Sequence, residues 1–175
     1  MVRRINLEKW DTEAKTCNLE DIQADSFVDL NTTKNKLSLW AVKSNAEADL
    51  MEAVLALSSG KQTNRFFELM QIVWIDSRKL EETGIKIKDD EPGDTLIKDL
   101  AGTHRDAVDL THSSLGSIAK IILDAIHMKQ RLSVNMSKIE RYMQTALREN
   151  RIDPNDFSVE AKKLKKRLEE LKKEN

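Results

Sequence analysis

TLIKDLAGTHRDAVDLTHSSLGSIAKIILDAIHMKQRLSVNMSKIERYMQTALRENR, residues 95–151, runs without a proline and carries apolar residues at helical intervals. Ile97, Leu100, Ala107 or Val108, Leu115, Ile118, Ile122, Ala125, Leu132, Met136, Ile139, Met143 and Leu147 fall on one stripe of a helix that turns about 100° per residue. The spacing predicts one long helix, or a helical hairpin broken near Ser113–Ser117. Tyr142 is the only aromatic residue between Leu96 and Asn155, so this region is built for aliphatic helix packing.

Both ends of the stretch are marked. Lys88–Asp94 (KDDEPGD) combines charge with a Pro-Gly turn, and Arg151–Ser158 (RIDPNDFS) places Pro154 where a helix must stop. Beyond it, Ala161, Leu164, Leu168 and Leu171 step by three and four residues, the pattern of a short coiled-coil seam.

Ahead of the boundary, the tryptophans Trp10, Trp40 and Trp74 predict a compact core. Val2–Trp10 alternates weakly as a strand, and Asn18 can cap a helix holding Leu19, Ile22, Phe27 and Leu30. Lys36–Val42 (KLSLWAV) reads as a strand, Ser44 and Glu47 as a capping box for a helix over Ala46–Leu57, and Phe66–Ile75 as a second, buried strand. Strand, helix and strand with short links predict a βαβ unit with a parallel pair. Asp76 and Ser77 cap a short helix that Gly84 ends, and Ile85 and Ile87 between lysines suit a guarded edge strand. The expected fold is therefore α+β: a small α/β domain over 1–88, a long-helix region over 94–152 and an amphipathic helix over 156–175.

Composition bounds the function. Hydrophobic residues make up 39% and charged residues 34% of 175, with 29 basic against 30 acidic side chains. A formal charge of −1 argues against a dedicated nucleic-acid binder. The single cysteine, Cys17, excludes an internal disulfide and a thiolate zinc cluster. The first residues, MVRRINLEKWD, lack the apolar core of a signal peptide, and no run approaches the ~20 apolar residues of a membrane helix. A cytoplasmic protein with no membrane partner is expected, and nothing implies a cofactor.

No motif names a reaction. His104 and His112, eight residues apart, would share a helix face with Asp109, a set suited to acid–base or metal chemistry; the favoured reading places His104 on the packed stripe. Asp76, at a strand end, could hold a metal or simply cap the following helix, and capping is favoured. The basic tail KKLKKRLEELKK could touch nucleic acid, but its glutamates dilute the charge. These features favour a non-enzymatic protein-interaction or assembly module, such as a regulatory subunit of a bacterial or phage complex. It would use Ile118, Ile122, Ala161, Leu164, Leu168 and Leu171 to bind a protein or itself. An enzyme or nuclease-like component working through Asp76 or the His104–His112 region is the alternative.

Overall fold

A computed structural model describes residues 1–10, 22–60, 69–89, 91–156, 166, 169 and 170. The described residues form six strands: β1 Val2–Ile5, β2 Leu37–Trp40, β3 Met70–Trp74, β4 Lys86–Lys88, β5 His104–Val108 and β6 Arg131–Val134. They make one sheet in the order β4-β5-β2-β1-β3-β6. The pairings β1–β2, β1–β3, β2–β5 and β4–β5 are antiparallel. Among the described residues, five α-helices lie between the strands, α1 Ala24–Asp29, α2 Glu47–Ser58, α3 Ser77–Glu82, α4 Lys98–Ala101 and α5 His112–His127, and α6 Met136–Arg148 follows β6.

The chain is mixed α+β, but the expected parallel βαβ domain and long helical region are both overturned. β2 and β3 run in the same direction yet never pair, because β1 lies between them and is antiparallel to both. The stretch 95–151 is not one helix or a hairpin. It breaks into α4, β5, α5, β6 and α6, of which α5 is the longest at 16 residues. The helical stripe was a coincidence of register. Its members divide among Leu100 of α4, Ala107 and Val108 of β5, Ile118, Ile122 and Ala125 of α5, Leu132 of β6, and Ile139, Met143 and Leu147 of α6. The breaks use residues that carry no glycine signal: Asp109 and Lys129 turn the chain at φ 56° and 60°. Side-chain caps then restart each helix. Thr111 and Ser114 form a capping box on α5, and the Asn135 side chain accepts the Lys138 N–H on α6.

The described chain clusters into two compact units. The first joins Met1–Ala41, Gln71–Glu91 and His104–Ser133. One face of its sheet presents Ile5, Leu37, Leu39, Val73 and Ala107 to a core shared with Trp10, Leu30, Leu80 and the buried side of α5. Arg3 lies on this face, and its guanidinium donates to the carbonyls of Ser38, Asp29 and Leu30, tying β1 to β2 and to the last turn of α1. The second unit joins Val42–Met70, Pro92–Thr103 and Val134–Asn175. Within it α2 packs on α4 and α6, burying Leu50, Val54, Leu55, Leu100, Ile139, Met143 and Leu147. Arg151 clasps these elements from the rim, reaching Glu52 on α2 at 2.5 and 3.2 Å and Asp99 on α4 at 2.7 Å.

Local expectations shifted at the edges. The Val2–Trp10 strand shortens to β1, followed by a 3-10 turn over Leu7–Lys9. On α2 the cap is not a box: Ser44 accepts the Ala46 N–H and its hydroxyl donates to Asp49 instead of pairing with Glu47. Cys17, the Asn18 cap, residues 66–68 of the expected strand and the seam Ala161, Leu164, Leu168 and Leu171 lie outside the described residues. No helix among the described residues is long and apolar enough to cross a membrane.

Candidate functional site

The residues singled out from sequence are dispersed. His104 opens β5, Asp109 follows its end, and His112 is the first residue of α5, so the three do not share a helix face. His112 stacks on Phe27 with ring centroids 6.2 Å apart and planes inclined by 10°. Asp109 is exposed and pairs with Lys86 at 3.2 Å. Asp76 is the N-cap of α3: its carboxylate accepts the Arg78 backbone N–H and is gripped by the Arg78 guanidinium at 2.6 Å. That grip holds the Asp76 carboxyl down at about 2. Ile118 and Ile122 are fully buried in the core of the first unit. Among the described residues, no group of three His, Cys, Asp or Glu side chains is placed to hold a metal ion.

His104 instead anchors a cluster created by strand register. β2 and β5 pair so that Trp40 faces His104 and Ser38 faces Asp106, all on the side of the sheet away from the Leu37–Leu39 core. Direct partners on one face touch, and diagonal ones lie within reach of a ring. The His104 imidazole spans that diagonal: Nε2 is 2.7 Å from Ser38 Oγ. Its Nδ1 is 3.1 Å from the Glu91 carbonyl oxygen, which can only accept. Nδ1 therefore carries the proton, and in the neutral ring Nε2 accepts from the Ser38 hydroxyl. Asp106 Oδ1 stands 3.6 Å from the same Nε2, with its side chain only 8% exposed. Lys36 spans the outer rim, 2.7 Å from Glu91 and 3.7 Å from Asp106. The arrangement sets the Ser38 hydroxyl against His104 Nε2, with the Asp106 carboxylate close to the same nitrogen.

A second feature lies at the sheet's margin. Among the described residues, β6 has β3 on one side and no strand on the other. The Trp74 N–H donates to the Gln130 carbonyl at 3.1 Å, so alternation directs the peptide groups of Arg131 and Ser133 to the open side. Both residues are exposed, as are Met128 and Lys129 just before them. Met128 is 63% exposed, among the most exposed large apolar residues described. The opposite margin, β4, carries Lys86 and Lys88 around Ile87, the usual guard against further pairing.

Sequence reasoning found His104 but not Ser38 or Asp106. Their signal is the two-residue spacing of Ser38 with Trp40 and of His104 with Asp106, visible only once both segments are read as strands. Nothing in the sequence gives the register that joins them. Comparison with protein-family models, curated protein sequences and solved structures finds no match to this chain.

Proposed function

We propose that the protein is an interaction module that binds another protein by adding one of the partner's strands to the open edge of β6. The observation that carries this reading is the β6 margin, where the peptide groups of Arg131 and Ser133 face away from β3 and the exposed Met128 lies beside them. A free strand edge presents unpaired peptide groups, which are a template for strand addition. The occupant is an extended, acidic segment of a partner. Residues 128–133 contain Lys129 and Arg131 and no acidic side chain, so an acidic strand complements them. Met128 supplies an apolar contact at one end.

The test uses peptide display against the full chain and its Ser133→Pro variant. Proline removes an outward N–H, a change an edge strand tolerates. The proposal expects enrichment of acidic, extended peptides whose binding weakens with salt and disappears in Ser133→Pro with the fold intact. Equal binding by both proteins, or no enrichment, overturns it. A sedimentation series in which wild type dimerises and Ser133→Pro does not would make a second copy the occupant and overturn the acidic partner.

A further inference from the structure

The polar cluster on the other face of the first unit's sheet holds chemistry that association at β6 does not use. We infer that Ser38 is a nucleophile, with His104 as its general base, that takes an acyl group from a small activated ester. A serine hydroxyl is unreactive alone and needs a positioned base within hydrogen-bond reach, itself oriented by a third group. All three parts are present: the 2.7 Å contact to Nε2, the Glu91 carbonyl fixing Nδ1, and Asp106 beside the ring. Ser38 is half-buried, and the Lys36 ammonium lies at the outer rim between Glu91 and Asp106. The inner end is closed by Asp106 and by Trp40, which is 4% exposed, so a small acyl group fits the setting better than a polymer.

The step balances within these groups. Ser38 Oγ bonds to the ester carbonyl carbon as its proton passes to His104 Nε2, and the imidazolium is held by the Asp106 carboxylate. The carbon–oxygen bond to the leaving alcohol breaks, and that oxygen receives the proton from Nε2. Water then attacks the acyl-serine by the same route, releasing the acid and restoring the hydroxyl.

The experiment treats the full chain with p-nitrophenyl acetate, following phenolate release and mapping the acetyl group by peptide mass spectrometry. Acetylation should map to Ser38, vanish in Ser38→Ala, which removes one atom and keeps the strand, and slow by about 10² or more in His104→Gln. Asp106→Asn, which keeps the side-chain shape, should also slow it and serves where His104→Gln fails to fold. Phenolate release unchanged in Ser38→Ala with acetyl groups only on lysines overturns the inference, as does Ser38 acetylation at the wild-type rate in the His104 and Asp106 variants.

Discussion

The imidazole of His104 stands edge-on to the indole of Trp40, with ring centroids 5.4 Å apart and planes inclined by 69°. The two are direct cross-strand partners on β5 and β2, so the contact follows from the register of one strand pair. Trp40 packs the ring from one side while Glu91 and Ser38 bond its two nitrogens. The neutral His104 ring should therefore carry its proton on Nδ1. Long-range nitrogen–proton NMR correlations read the tautomer directly, and a proton on Nε2 alone would show that the Glu91 carbonyl does not orient the ring.

Arg151 is the clasp of the second unit. The Glu52 hydrogen bond, then the Asp99 one, hold its guanidinium charge more firmly than water does, against the opposing effect of burial. Arg151→Met leaves two carboxylates, from α2 and α4, without their shared counter-charge. We expect a loss on the order of 1–3 kcal/mol, seen as a lower Tm, because both acids are partly exposed and water screens them. Adding Glu52→Gln and Asp99→Asn should return part of the loss. A triple variant no more stable than Arg151→Met would contradict the clasp.

Among the described residues, strand β4 is tied to the rest of the sheet only through β5, which lies between it and β2. A fragment ending at Lys88 lacks β5, α5 and β6, leaving one edge of β2 unpaired and the Leu37, Leu39 and Val73 face without α5. Such a fragment should show no cooperative thermal transition. A sharp melt would mean that the first unit's core forms without α5.

Asp76 sets a pH dependence. Its carboxyl is lowered from 3.8 to about 2, chiefly by the Arg78 side-chain hydrogen bond. A group depressed in the folded state contributes stability above its unfolded value and loses it as pH falls through the folded one. The contribution is thus complete above about pH 5 and gone by about pH 1. Carboxyl NMR titration should place Asp76 near 2 in wild type and closer to the ordinary range in Arg78→Ala. An Asp76 value unchanged by Arg78→Ala would contradict the contact.

Elements whose side chains and turns speak locally were legible before any coordinates. The alternation of Lys36–Val42 gives β2, the Asp76 cap and Gly84 at φ 76° bracket α3, and the lysines beside Ile87 mark an edge. β5 was hidden because its two faces both mix polar with apolar residues: His104, Asp106 and Val108 on one, Arg105 and Ala107 on the other. Without apolar alternation, Ala107 and Val108 joined the helical count. β6 is four residues long, and Lys129 makes the turn before it where a glycine would have announced the break. The site was half legible, since a histidine draws attention but its serine lies 66 residues away and is supplied by register alone.

The open edge of β6 is tested most directly by amide hydrogen exchange, residue by residue, with and without a selected acidic peptide. In the free protein the outward amides of Arg131 and Ser133 should exchange fast while Leu132, turned toward β3, exchanges slowly. Bound peptide should slow Arg131 and Ser133 and leave distant β4 amides unchanged. Slow exchange at Arg131 and Ser133 in the free monomer, or no change there on binding, would contradict strand addition at β6.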